Sequence, residues 1–190
     1  MVMDARTLHT YLERISNLLH RELRHSGSES GLQPTQLEAL HYLSICNRYS
    51  NTPKGVTEYL GQTKGTVSQT LKVLERKEFL VKEVDKEDRR VIHLKITAKG
   101  KGALEKSVPA ANFIRACQSL DAKTRQQLAG NLKTLLGSIL QAGGSKSFGV
   151  CRTCRYNRDD GDGNFFCELV RAPLTRADVQ LICREHVDAA

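Results

Sequence analysis

Between Thr52 and Thr97 the apolar residues change period, and few folds accommodate that change. Thr52 and Pro53 open a short helix: threonine caps, and proline fits the first helical position, where its missing N–H has no partner to lose. Gly61 suits the left-handed residue that ends a helix. Thr63 offers a new cap for a helix to about Lys77. On it Val67, Leu71 and Leu74 face inward, and Lys64, Gly65, Ser68, Gln69, Lys72 and Arg76 face outward. Two short helices across a three-residue turn form a helix-turn-helix. Leu80–Val84 then reads as a strand and Asp85-Lys86-Glu87-Asp88-Arg89-Arg90 as a charged turn. Residues 91–97 form a second strand with Ile92, Leu94 and Ile96 on one face. A hairpin directly after such a helix pair is a wing. The predicted fold class is mainly α with a small β-hairpin wing (α+β), a winged helix-turn-helix.

The flanks are helical. Residues 4–25 repeat Leu8, Tyr11, Leu12, Ile15, Leu18, Leu19 and Leu23 at helical spacing, and residues 26–31 read as a loop. A helix starting near Gln33–Thr35 carries Leu37, Leu40, Leu43 and Ile45. Thr97 caps another to about Cys117, with a bend expected at Pro109. Asp121 caps a last amphipathic helix through Leu128, Leu132, Leu135, Leu136, Ile139 and Leu140. Gly143-Gly144-Ser145-Lys146-Ser147 has the composition of a flexible joint. The chain therefore divides into a body at 1–142, a linker at 143–147 and a tail at 148–190.

Charge follows the same division. The net charge is +8, yet residues 143–190 hold seven Lys/Arg and seven Asp/Glu, so the body carries all of it. A basic body suggests a polyanion, with nucleic acid first. No stretch approaches the roughly 20 apolar residues needed to span a membrane. The N-terminus also lacks the basic region and apolar run of a secretory signal. The expected compartment is the cytoplasm, where thiols stay reduced. No catalytic Ser/His/Asp arrangement, phosphate loop or paired-acid motif stands out, so an enzyme is not expected.

Residues 32–104 resemble the MarR family of bacterial transcription regulators. The resemblance rests on Thr63-Lys-Gly-Thr-Val-Ser-Gln69, then Leu71, Leu74-Glu75-Arg76-Lys77 and Phe79-Leu80. The wing adds Asp85-x-x-Asp88-Arg89-Arg90 and Leu94-x-Ile96-Thr97-x-x-Gly100. With its flanking helices it covers about residues 5–141. It implies a homodimer whose first and last helices interlock, a pseudo-palindromic operator in double-stranded DNA, repression by promoter occlusion, and a cleft open to a small-molecule inducer. It also implies that Arg90 enters the minor groove, where arginine reads groove width. Asp88 would brace its guanidinium, with Arg89 and Lys86 near phosphates. On the recognition helix, Ser68 and Gln69 can bond base edges, and glutamine pairs well with adenine. Thr63, Lys64, Thr66 and Lys72 suit phosphates, which fix register without reading sequence. Gly65 is a poor helix residue, costing up to about 1 kcal/mol relative to alanine, and its lack of a side chain suits close approach to the DNA backbone.

The tail lies outside that resemblance. Cys151, Cys154, Cys167 and Cys183 are spaced x2, x12 and x15, with His186 three residues further on. A CxxC pair brings two sulfurs to one ion, two more thiolates close a tetrahedral shell, and His186 is a spare nitrogen ligand. A segment this short rarely sustains a core without a staple. Zn²⁺ is the leading expectation, giving a small metal-stapled module. An iron–sulfur cluster also suits four cysteines, and a redox dithiol or a protein-docking role remain alternatives. His186 on its own reads as a surface histidine, and Cys46 and Cys117 as small buried core residues. Gly161-Asp162-Gly163 turns the chain between the second and third cysteines, and Thr175 or Arg176 starts a short helix ending near Cys183.

Overall fold

The computed structural model describes residues 4–189, apart from the side chain of Glu29. Residues 1–3 of the N-terminal stretch considered above lie outside the described residues. The first helix, α1 (Ala5–Ser30), passes straight through the serine-rich segment expected as a loop and stops at Gly31, whose φ of 64° is left-handed. The serines cooperate with the helix instead of breaking it. Ser26, Ser28 and Ser30 donate to the carbonyls of Glu22, His25 and Gly27 at 3.1, 2.6 and 3.3 Å. Such hydroxyls favour turns only where they bond outside the helix. Gly27 supplies room, because a Cβ there would stand 2.4 Å from the Leu32 carbonyl oxygen.

The reading head follows in the expected order. α2 (Pro34–Ile45) opens on a reciprocal capping box between Gln33 and Gln36. α3 (Pro53–Leu60) is capped by Thr52 and ended by left-handed Gly61, and α4 (Lys64–Arg76) is capped by Thr63. β1 (Leu80–Val84) pairs antiparallel with β2 (Ile92–Ile96), Leu80 facing Ile96 and Val84 facing Ile92. α5 (Ala98–Ser107) starts at Thr97 and crosses β1 closely. A Cβ on Gly100 would lie 2.2 Å from the Phe79 carbonyl oxygen, so only glycine fits there. Leu37, Leu40, Tyr42, Val56, Val67, Leu74, Leu80 and Leu94 form one buried core from α2 to β2.

The bend expected at Pro109 is a full break. Val108 is extended at φ −138° and ψ 125°, and a separate α6 (Ala111–Gln118) follows. Proline's ring disfavours helical backbone in the preceding residue. α7 (Ala122–Ala142) starts at Asp121, which accepts from the Thr124 N–H at 2.9 Å. Neither α6 nor α7 buries a residue. Cys117 is consequently half-buried on α6 and not a core residue, whereas Cys46 is only 6% exposed. Among the described residues no helix is long and apolar enough to cross a membrane.

The tail is a small three-stranded antiparallel sheet, β3 (Asn157–Asp159), β4 (Phe165–Cys167) and β5 (Ala172–Leu174), between 3₁₀ turns at Cys151–Thr153 and Asp178–Gln180. Gly161, Asp162 and Gly163 all take positive φ in the turn between β3 and β4, as expected. The helix expected near Thr175 is only the second of those 3₁₀ turns. Asp178 accepts from the Thr175 N–H and hydroxyl at 2.9 and 2.7 Å, and extended Leu181 ends the turn. The joint is tied down: Lys146 bonds Glu185 at 2.5 Å and Ser147 bonds His186 at 2.9 Å.

Candidate nucleic-acid interface and cysteine site

The sequence pattern that builds α4 also separates its faces. Val67, Leu71 and Leu74 are buried, which turns Lys64, Thr66, Ser68, Gln69 and Lys72 to solvent together. The Thr63 hydroxyl accepts from the Thr66 N–H at 3.2 Å and lies 3.0 Å from the Thr66 hydroxyl, so both threonines are tied into the cap while remaining exposed. A Cβ on Gly65 would meet nothing nearer than the Thr63 hydroxyl at 3.8 Å. Nothing inside the protein therefore demands glycine at this position.

The wing tip is shaped by two carboxylates. Asp85 accepts from the N–H groups of Glu87 and Asp88 at 2.8 and 2.7 Å, which closes the turn. Asp88 takes the Arg90 guanidinium through both oxygens, each at 3.0 Å, and also accepts the Arg90 N–H. Arg90 is 91% exposed, so the bracing fixes its direction without burying it. These bonds from Arg90 hold the Asp88 carboxyl below the ordinary carboxylate range. The Asp88 and Glu87 N–H groups, then His93, do the same for Asp85. Arg89 and Lys86 are exposed beside them.

Two residues that sequence patterning did not single out root the wing. His93 stands between Asn51 Oδ1 at 2.6 Å and Asp85 Oδ2 at 3.1 Å. The Asn51 carbonyl accepts from the Leu94 N–H at 2.7 Å. The only signal was a histidine placed opposite buried Leu94 in an alternating strand.

Three of the tail cysteines, Cys151, Cys167 and Cys183, meet at the tail core, and Cys154 follows Cys151 across one 3₁₀ turn. Cys154 donates its N–H to the Cys151 carbonyl at 3.0 Å, and Cys183 donates to the Gly149 carbonyl at 2.9 Å. Cys167 ends β4. Cys151 joins Phe165, Leu174 and Val179 in a second core, against which Cys167, Cys183 and Tyr49 of the body pack. Burial pushes the Cys151 thiol up to about 12, with Cys183, Cys167 and Cys154 adding to the shift. All six cysteines are free thiols. Among the described residues, however, no three His, Cys, Asp or Glu groups stand at metal-holding spacing.

His186 is not the surface residue its sequence context suggested. It is 6% exposed, with its ring packed on Gly149, and burial holds it below its ordinary pKa. Nδ1 meets the Ser147 hydroxyl at 2.9 Å and Nε2 the Thr153 hydroxyl at 3.0 Å, so one nitrogen is engaged by the joint and the other by the tail.

A sequence profile described as the MarR family matches residues 30–91. The chain is 32% identical over 110 residues to YkoM, an HTH-type transcriptional regulator of Bacillus subtilis, covering 55% of this chain and 68% of that protein. Its structure is similar to that of a MepR–DNA complex from S. aureus, with 26% identity, a TM-score of 0.54, and coverage of 69% of this chain and 97% of that one. It is also similar to the transcriptional regulator Tm0710 of Thermotoga maritima, with 26% identity, a TM-score of 0.51, and coverage of 74% and 99%.

Proposed function

This chain belongs to the MarR family of DNA-binding transcription regulators, and from that premise we propose that it is a repressor. It binds a pseudo-palindromic operator as a homodimer and carries a structural zinc in its tail. The observation that carries the DNA reading is the exposed Arg90 braced by Asp88, beside an α4 face with no apolar side chain among its outward residues. An arginine held this way enters a narrow minor groove without first losing its side-chain freedom. Ser68 and Gln69 then read base edges in the major groove, while Thr63, Lys64, Thr66, Lys72 and Arg89 hold phosphates. The similar MepR has been solved in complex with DNA, which supports DNA as the partner.

Dimerisation is supported by what the monomer leaves uncovered. Leu8, Tyr11 and Ile15 on α1, Phe113 and Ile114 on α6, and Leu128, Leu132, Leu136 and Ile139 on α7 are all exposed. Large apolar side chains left uncovered on three helices at once mark an interaction site. Interlocking these helices with a second copy buries it and sets two α4 helices for successive major grooves. A small-molecule inducer would act between the dimer helices and the reading head.

Zinc is supported by donor chemistry and shared location, not by ligating distances. Cys151 belongs to a tail core too small to persist alone, Cys167 and Cys183 pack against it, and Cys154 completes the donor set. A cation is what would allow four neighbouring thiolates, two buried and two half-buried, to stand together. The test is purification without added metal, followed by elemental analysis and an absorbance spectrum. One zinc per chain and colourless protein is the expected result. A brown protein that bleaches in air would replace zinc with an iron–sulfur cluster.

A further inference from the structure

The tail is bonded to the body on both sides of Cys183. Before it, the Ile182 N–H donates to the Ile45 carbonyl at 2.9 Å, and the Ile182 carbonyl accepts from the Asn47 N–H at 2.9 Å. After it, the Arg184 N–H donates to the Ser50 hydroxyl at 2.9 Å, and the Arg184 guanidinium takes both oxygens of Glu58 in α3 at 2.6 and 2.9 Å. From the body, Arg48 donates to the Pro173 carbonyl at 2.6 Å and pairs with Asp178 at 3.6 Å. Apart from the Glu58 pair, these bonds meet the body at residues 45–50, at the end of α2 and in its connection to α3. The Ser50 hydroxyl donates to Asn47 Oδ1 at 2.9 Å, and next to Ser50 stands Asn51. Asn51 holds the wing through Leu94 and His93, and His93 reaches Asp85, whose carboxylate closes the wing tip.

We propose that occupancy of the four-cysteine site regulates DNA binding, with Ile182 and Arg184 transmitting it from Cys183 through residues 47–51 and His93 to the wing. This rests on the zinc reading above. A bound ion fixes Cys183 and with it the docked segment. Loss of the ion frees that segment, and the α2–α3 connection and wing root lose their support. The sign follows from the geometry. Among the described residues no hydrogen bond or ion pair from the tail reaches α4 or residues 86–91. The docked tail therefore braces the reading head from the side and leaves its DNA face open, so the metal-loaded protein is the DNA-binding form. Arg184 is a positioning residue in this scheme: it touches neither DNA nor metal.

The test uses the full chain. A duplex is first selected from a random pool by the zinc-loaded protein. Affinity for it is then measured for loaded and chelator-stripped protein, with amide hydrogen exchange on both. Stripping is expected to lower affinity about tenfold, within the usual range of coupling between sites, and Glu58→Ala is expected to shrink that difference below about threefold. Exchange should rise at residues 45–51 and 91–94 as well as in the tail. Glu58→Ala should retain its zinc yet exchange faster at 45–51 even when loaded, a result that does not depend on the stripped protein staying folded. Pairing Glu58→Arg with Arg184→Glu should restore the coupling, which a merely structural role would not require. If zinc binds and stripping loosens only the tail, with affinity unchanged, the coupling is overturned while the zinc site stands. If no zinc is retained at all, the site itself is wrong and the coupling falls with it.

Discussion

Arg184 grips Glu58 with a two-pronged ion pair across 126 residues of chain, at 2.6 and 2.9 Å, and so joins the tail to the helix that supports the DNA-reading helix. The pair is part-buried. The hydrogen bond from Arg184 holds the Glu58 carboxyl below its ordinary value of 4.5. A carboxylate depressed in the folded state contributes stability that is fully present above its unfolded pKa and lost as pH falls through the folded one. Docking of the tail should therefore be constant from neutral pH down to about 5 and weaken only in stronger acid. Hydrogen exchange at residues 45–51 across that range checks it, and Glu58→Gln should remove the part of the acid transition that comes from this pair.

Gly65→Ala should move stability and function in opposite directions. The position is exposed and helical, with no neighbour to clash. Alanine should stabilise the helix by up to about 1 kcal/mol. The added methyl group stands where the DNA backbone is expected, so affinity should fall. Thermal unfolding and a binding titration on the same sample decide; a variant that gains stability and keeps full affinity would show that DNA does not approach Gly65.

Gln69→Ala and Lys72→Ala should fail in different ways. Loss of Gln69 should relax base preference, because a good bidentate base contact discriminates by about 1–3 kcal/mol. Loss of Lys72 should weaken specific and random duplexes alike and reduce the steepness of the salt dependence by about one. Titrations at several salt concentrations on both kinds of duplex separate the two roles.

Leu136→Glu should give a folded monomer. Leu136 is 56% exposed on α7 and contributes nothing to the core around α2–α5. A carboxylate there is tolerated in one chain and costly in an interface that excludes water. Sedimentation should show half the parent's mass with helical content kept. An unchanged dimer would remove α7 from the interface.

The reading head was legible from residues 52 to 97 because its signals are local. Thr52, Pro53, Gly61 and Thr63 act on neighbours within one helical turn, and Val67, Leu71 and Leu74 declare a buried face by spacing alone. Asp88 and Arg90 are two residues apart, so their pairing was also within reach. What escaped was non-local or depended on context. The serines after His25 look like loop residues until their hydroxyls are seen to bond back to the helix. Pro109 marked a disturbance but not its size. His186 gave no sign of burial, since Gly149, Ser147 and Thr153 enclose it from more than thirty residues away. Arg184 and Glu58 carry no pattern linking them, and only the folded chain brings them together.

The most direct test of DNA recognition is Arg90→Ala on the selected duplex, measured beside the parent protein at fixed salt. Arg90 is almost wholly exposed and, among the described residues, its side chain bonds only Asp88, so its loss should leave the fold and the dimer intact. Affinity should drop by at least about tenfold, as expected for removing a groove contact worth more than about 1 kcal/mol. Unchanged circular dichroism and sedimentation with that drop would establish the wing as a reader of DNA. Binding as tight as the parent's would contradict the assignment of Arg90 and, with it, the docking of this wing in the groove.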